Sequence, residues 1–404
     1  MFGEKADDLQ KSRLFTFAMA SPSSAFIGVH LRLDPNFVNL PQPLQQIDRT
    51  YVRVGQRKLS YFAGCDYFRL ASHPKVLRAL TEGVKKYGLN VAASRMTTGN
   101  HEIYGKLEKS LAQFFGSESA LIVSNGYVTN IAVAQALAGS FSHVLTDEKA
   151  HPSLLDAAQM LDCPILKFKH CDTEDLSRVI SRIGKNTKTI LIADGVFSHD
   201  GSLTPLKSFL NVLPKDSVLL VDDAHGAGTL GKTGKGTIEL EGIPRKRVIQ
   251  TITLSKAFGV YGGAILCSRD LREKILAKSR MFGGNTPLPL PLANSALTAV
   301  QILRTDKNLR RRLVENVKYV KSGLRKAGLE ISDPPSPIVA IVPKSERKAN
   351  ALKSKCLANG VFPSFIKYYG GPENGYFRFA ISSEHTQKQL DALLKALVSQ
   401  NEHD

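Results

Sequence analysis

The chain has 404 residues, 43% hydrophobic and 22% charged, the make-up of an ordinary globular protein with room for two or three domains. Its formal net charge is +18, but it has no recognised nucleic-acid motif and no interleaving of basic with aromatic residues. Phosphate-bearing small molecules, an acidic carrier protein or peripheral contact with an anionic membrane are therefore expected as partners before nucleic acid.

The first 58 residues read as an N-terminal extension ending in a hairpin. Pro22, Pro35, Pro41 and Pro43 interrupt a stretch without sustained periodicity. This stretch reads as partly helical or disordered, packing on a partner subunit. Lys11 to Ser21 imitates a signal peptide weakly, but the apolar run is short and acidic residues precede it. No apolar run reaches the ~18 residues of a membrane span. Cys65, Cys163, Cys171, Cys267 and Cys356 are scattered, with no C-x-x-C pair or Cys/His ligand cluster. That predicts no disulfide framework, no metal site and a cytoplasmic location. Tyr51 to Phe62 alternates around Gly55 as a hairpin should.

Residues 59–291 read as a large α/β domain. Pro74 to Tyr87 and Lys106 to Phe115 are predicted helices, stopped by Gly88 and Gly116. Strands are expected at Ala120–Ser124, His143–Thr146, Pro164–Phe168, Thr189–Asp194, Ser217–Asp222 and Val248–Leu254. Helices over Tyr127–Leu137, Ser153–Leu161 and from Asp172 or Thr173 to Ile183 alternate with them. These strands are continuously apolar, as in a parallel sheet covered on both faces.

After the Pro-rich stretch at 287–291 the pattern changes, and residues 292–404 read as a smaller C-terminal α+β domain. Its predicted helices are Leu292–Leu303, Asn308–Ala327 and Gln387–Val398, and its strands Ile338–Val342 and Tyr376–Ile381. Basic residues concentrate in Arg304 to Lys326, where Arg310, Arg311 and Arg312 read as a solvated helix face.

The chemistry gathers at predicted strand ends, where open α/β sheets bind ligands. Lys256 follows Thr253-Leu254-Ser255 at the end of a buried strand, where burial depresses an amine's pKa and suits it to a Schiff base. By itself a Ser-Lys pair after a strand more often marks a surface lysine, so the remaining strand ends decide. Asp222 ends another strand and can pair with a protonated ring nitrogen or simply cap a turn; His225 lies three residues on. Ser124-Asn125-Gly126-Tyr127 joins a strand to a helix whose free N–H groups suit a phosphate. His151 reads as a helix-entry residue or a platform for a flat ring, and Ser198 as a turn serine or a group beside that ring.

Taken together, these segments resemble the α-oxoamine synthases, a family of fold-type-I pyridoxal-phosphate enzymes. The likeness runs from about Tyr61 to Leu397 in the family's order. It comprises ASRMTTGN (93–100), LE (107–108), SNGYVTN (124–130), AHPSLLDAA (150–158), DGVFSHDGSLTPL (194–206), VDDAHGAGTLGKTGKG (221–236), TLSKAFGVYGG (253–263) and FRFAISSEHT (377–386). The D-x-A-H-G-x-G-x-x-G run is the most specific of these.

The resemblance implies an α/β fold, with a mainly parallel seven-stranded sheet between helices in the large domain. Lys256 would form the Schiff base with pyridoxal 5'-phosphate, and Asp222 would pair with the pyridine nitrogen. His225 would bond the ring hydroxyl, His151 stack on the ring and Ser198 lie beside it. The backbone at Gly126 and Tyr127 would cradle the phosphate with the Thr253 hydroxyl. Thr286 would reach the phosphate of a neighbouring subunit, implying a homodimer with shared active sites. Arg378 would grip the substrate carboxylate through its bidentate fork.

The implied reaction condenses a small amino acid with an acyl thioester, carried by coenzyme A or an acyl carrier protein, with decarboxylation to an α-amino ketone. An aminotransferase or other chemistry on the same scaffold is the rival enzyme reading. A non-catalytic relative is a further alternative, and such relatives tend to lose the lysine. Three departures from the family pattern fall at the substrate end. Cys65 stands where the family has a carboxylate-binding asparagine, Tyr104 where it has a histidine, and Lys367 to Pro372 where it has Pro-Thr-Val-Pro.

Overall fold

The computed structural model describes residues 43–184, 187–331, 334–367 and 372–398. Residues 1–42, including the imitation of a signal peptide, and 368–371 of the altered substrate-end segment lie outside them. Among the described residues the strands in chain order are β1 (Gln45–Gln46), β2 (Tyr51–Val54), β3 (Arg57–Ser60), β4 (Ser119–Val123), β5 (His143–Asp147), β6 (Ile165–Phe168), β7 (Thr189–Asp194), β8 (Val218–Asp222), β9 (Val248–Thr253), β10 (Gly263–Cys267), β11 (Ile338–Ile341), β12 (Phe365–Ile366) and β13 (Tyr376–Ala380).

The central sheet has seven strands in the order β4-β10-β9-β8-β7-β5-β6. Strands β6, β5, β7, β8 and β9 run parallel, and β10 is antiparallel to both β9 and β4. Every residue of β7 and β9 is buried, which explains the apolar run Ile190 to Ala193 in β7, while the buried Gln250 and Thr251 side chains of β9 are hydrogen-bonded. The apolar pattern does not single out β10, because Gly-Ala-Ile-Leu-Cys continues directly from a glycine-rich loop. Its direction follows from chain length. The loop from Leu254 to Gly262 is too short for a crossover helix, so the chain must reverse, and Lys256 sits inside that reversal.

Local signals set the helices. Helix Pro74–Tyr87 carries proline at its start and Gly88 after its end, and Thr173–Ile183 is capped by the Asp172 carboxylate, which accepts from the Glu174 and Asp175 amides. Helix Glu102–Phe115 begins four residues before the expected Lys106, because the ring of His101 caps it by accepting from Ile103 N. The predicted helix from Leu292 spans Leu290–Thr305 and packs on Pro74–Tyr87 and Glu102–Phe115. The apolar pattern also passes over helices Leu206–Val212, Arg269–Lys278 and Glu346–Ala358.

Two small sheets flank the large one. Strands β2 and β3 form the expected hairpin, with β1 paired along β2, and β11-β13-β12 form an antiparallel sheet. Their junction positions the site. Ser60 bonds to Gly360 O and Phe362 N, Ala380 N donates to Phe62 O, and Ser383 N donates to Tyr67 O. Residues 60–67 are thereby tied to the segment before β12, to the C-terminal end of β13 and to the turn after it, and β13 carries Arg378.

Gly259 shows how tightly the lysine loop is held. Its φ is +64°, and a Cβ there would lie 2.2 Å from Ala71 N. Only glycine combines that backbone with that approach.

Candidate active site

The floor of the site is the pair of strand ends β7 and β8, where Asp194 and Asp222 stand in register. Asp222 is 8% exposed. Its Oδ2 accepts from Asn130 Nδ2 at 2.7 Å and its Oδ1 from Ala224 N at 3.1 Å. Asn130, fully buried, also donates to Ser153 Oγ and accepts from Thr251 Oγ1. Burial and the neighbouring Asp222 charge push the Asp194 carboxyl well above the usual range, while His151 N donates to it at 2.9 Å. The next residue, Asp223, does a different job. It is fully buried against Gln250 Nε2 at 2.6 Å and Thr237 N at 2.9 Å, and burial pushes it up to about 7. One aspartate of the pair faces the site and the other holds the following turn.

Above the floor, Lys256 Nζ lies 2.7 Å from His225 Nε2. His225 is 5% exposed, and its Nδ1 lies 2.6 Å from the Tyr67 hydroxyl. Burial lowers the His225 pKa well below that of an ordinary histidine, and the Lys256 and Arg378 charges add to the effect, so the ring is neutral. Burial raises the Tyr67 hydroxyl well above 10, and that hydroxyl also meets the Cys65 thiol. One arrangement pairs these groups in series. Lys256 donates to Nε2, Nδ1–H donates to the tyrosine oxygen, and the tyrosine O–H donates to sulfur. Burial also lowers the Lys256 pKa, against the opposing pull of Cys65, Asp222 and Asp194.

The helix starting at Gly126 supplies the candidate phosphate cradle. Asn125 caps it by accepting from Val128 N, leaving the N–H groups of Gly126 and Tyr127 at the helix mouth. A Cβ on Gly126 would lie 2.8 Å from Thr253 Cβ, so glycine allows this helix to sit against β9. Thr253 Oγ1 accepts from Ser255 N, which ties the cradle to the lysine loop. His151 caps its own helix through Nδ1, which accepts from Ser153 N, and its ring lies edge-on to Tyr127 at 6.2 Å. Burial lowers its pKa, and the charges of Asp222 and Lys256 both bear on it.

At the other side Arg378 Nη1 donates to Ser198 O at 3.1 Å, bringing together two predicted residues that lie 180 positions apart. Thr286 is exposed, and its neighbour Asn285 donates to Ser124 Oγ at 3.1 Å, beside the cradle of the same chain. The residues present suit pyridoxal phosphate. An amine of lowered pKa, a carboxylate ending β8 and a helix mouth opening on Gly126 after β4 match its aldehyde, ring nitrogen and phosphate.

The profile of the aminotransferase class I and II family matches residues 66–397. The 8-amino-7-oxononanoate synthase of Thioalkalivibrio sulfidiphilus is 34% identical over 347 residues, 85% of this chain and 88% of that protein. That of Thermoanaerobacter pseudethanolicus is 34% identical over 334 residues, 82% and 85% of the two chains. Among solved structures, a serine palmitoyltransferase from S. paucimobilis with a bound PLP–myriocin aldimine superposes with a TM-score of 0.82 at 26% identity, covering 88% of this chain and 90% of that one. The 8-amino-7-oxononanoate synthase from Francisella tularensis gives 0.73 at 27% identity, covering 84% and 96%. The chain belongs to the α-oxoamine synthase family.

The expected fold and the expected cofactor, pyridoxal phosphate, hold for this α-oxoamine synthase. The structure adds residues that no motif role had assigned. Tyr67 orients His225, and Asn130 orients Asp222; Asn130 lies inside the SNGYVTN segment and Tyr67 two residues after Cys65, but only contact reveals their partners. Tyr104 is wholly buried and donates to Leu288 O at 2.6 Å, so that departure from the family pattern sits in the core. We expect Tyr67→Phe to lower kcat about tenfold, since a buried ring nitrogen left unpaired costs ~1–3 kcal/mol. Visible absorbance of the bound cofactor should be unchanged, which separates lost orientation from lost cofactor.

Among the described residues no helix is long and apolar enough to cross a membrane.

Proposed function

We propose that this enzyme condenses a small amino acid with an acyl thioester at the site bounded by Lys256, Asp222 and Arg378. The observation that carries this is Lys256 Nζ at 2.7 Å from a neutral, fully oriented His225 at the sheet's ligand-binding edge. When bound, pyridoxal phosphate supplies an electron sink for the charge left on the amino acid's α-carbon.

The chain's residues then divide the work. Asp222, fixed by Asn130 and Ala224 N, would hold a proton at the ring nitrogen. Gly126, Tyr127 and Thr253 would hold the phosphate, His151 would cover the ring and Ser198 would lie beside it. His225 would bond the ring hydroxyl. Lys256, with its pKa lowered by burial, takes the α-proton at Nζ and returns one later. Arg378, braced on Ser198 O, grips the substrate carboxylate, and Cys65 borders the same end. Loss of the thiol and of carbon dioxide completes the reaction to an α-amino ketone.

A second copy of the chain completes each site, with Thr286 donating across the interface; its exposure, and that of Tyr127 and Tyr261, supports this. The proposed domains remain residues 59–291 and 292–404, preceded by the extension and hairpin of 1–58. The acyl carrier is coenzyme A or a carrier protein.

The test incubates holoenzyme with single amino acids and acyl-CoA and measures free thiol. Amino-acid-dependent thiol release supports condensation. Amino transfer to a keto acid without thiol release would overturn it in favour of an aminotransferase.

A further inference from the structure

Beyond the catalytic pocket, the structure gathers a second set of chemically able side chains. His170 follows β6, and His199 and Asp200 follow β7; these strands lie on either side of β5, which ends in Asp147. The Asp147 carboxylate is wholly buried and accepts from Cys171 N and Lys149 N, both at 2.8 Å. It also takes His170 Nδ1 at 3.0 and 3.2 Å from its two oxygens. A carboxylate behind Nδ1 fixes the proton there and leaves Nε2 as the lone-pair nitrogen, the arrangement that metal-ligating histidines adopt; Nε2 lies 3.1 Å from Ser202 Oγ, whose own proton is directed at Asp200 Oδ1.

Around that ring lies the rest of a ligand set. One atom from each of His170, His199 and Asp200 lies within 4.8 Å of the others. His199 Nε2 is shielded from solvent yet makes no hydrogen bond among the described residues, although Asp200 Oδ2 is only 3.2 Å away. Asp200 Oδ1 is held by Ser202 N at 2.9 Å and Ser202 Oγ at 2.7 Å, leaving Oδ2 on the His199 side. Phe197, 1% exposed, stands edge-on to both rings, with centroids at 4.4 Å from His170 and 5.9 Å from His199. Both imidazoles are thus buttressed before any ion arrives.

We propose that His170 Nε2, His199 Nε2 and Asp200 Oδ2 form a site for one divalent transition metal ion, with zinc the best fit. Two imidazoles and one carboxylate suit a borderline ion, and three protein ligands leave a further position for water. The site is separate from the pyridoxal-phosphate pocket but shares its scaffold. The turn carrying His199 and Asp200 also carries Ser198, whose carbonyl braces Arg378. Residue spacing does not announce the site, because its ligands come from two loops joined only by the sheet.

The test uses the full-length chain loaded with pyridoxal phosphate, stripped with a chelator and titrated with Zn2+ against a fluorescent zinc-binding dye. Wild type should take up one Zn2+ per chain, and Zn2+ should raise its melting temperature by mass action. His199→Ala and Asp200→Asn should each weaken uptake by more than the ~10–100-fold carried by partners outside the ligand shell. His199→Ala removes the 3.2 Å contact with Asp200 and the ring contact with Phe197, so the zinc-free melt and circular dichroism of each variant, recorded beside wild type, exclude misfolding. No uptake by wild type, or equal uptake by wild type and both variants, overturns the proposal.

Discussion

Lys256→Ala should abolish the absorbance of covalently held pyridoxal phosphate and lower kcat by at least about 10³-fold. Proton transfer by a positioned side chain supplies roughly 10²–10⁴-fold, and this residue also provides the covalent attachment. The fold should survive. Burial holds the folded-state pKa of this amine below its unfolded value of 10.5, so the folded chain binds the proton more weakly. That difference is a penalty on folding, complete below the folded pKa and fading as the pH rises towards 10.5. Truncation removes the penalty and also the bond to His225, a net hydrogen bond worth ~1 kcal/mol. The two changes oppose each other, so denaturation at neutral pH should differ from wild type by about 1 kcal/mol or less. If Lys256→Ala retained thiol release, the assignment of the lysine would fall.

The second large effect is structural. Glu108→Ala should destabilise the fold by about 3–5 kcal/mol, the cost of leaving one charge of a buried pair uncompensated. Glu108 and Arg95 have side chains only 9% and 8% exposed, and Arg95 Nη1 meets Glu108 Oε1 at 2.5 Å. The Arg95 guanidinium also lies 4.8 Å above the Tyr104 ring, and Arg272 approaches Glu108 at 3.7 Å. The same carboxylate accepts from Ile122 N at 3.1 Å, satisfying the outer edge of β4, which among the described residues has β10 as its only strand neighbour. Because β4 leads into Ser124, Asn125 and Gly126, loosening it should weaken cofactor affinity too. Glu108→Gln keeps an acceptor for Ile122 N and should lose less than alanine. Chemical denaturation of both variants checks this; losses below about 1 kcal/mol in both would contradict the buried-pair account.

Much of the fold can be read from the chain because local chemistry and tertiary environment agree. Pro74, Gly88 and Asp172 mark helix ends that the structure reproduces, and β7 is recognisable by its apolar stretch Ile190 to Ala193 because both its faces are covered. Legibility fails where a residue plays an unusual local part. His101 caps a helix in place of a serine or aspartate, and β10 hides behind its glycines. The candidate site shows the same division. Lys256, Asp222, His225, Gly126 and His151 stand out at strand ends, whereas Tyr67 and Asn130 act through hydrogen bonds to residues 158 and 92 positions away.

By itself the sequence determined the class of fold, the cofactor and the strand ends that carry the chemistry, because strand patterns and ordered motifs are local and survive in one dimension. Only the tertiary structure decided which partners those residues have. It joined Lys256 to Tyr67 and Cys65 through His225, braced Arg378 on Ser198 and faced His170 with His199 and Asp200. Such pairings depend on strand order and register, which bring distant loops to one edge of the sheet, and no spacing along the chain encodes that edge.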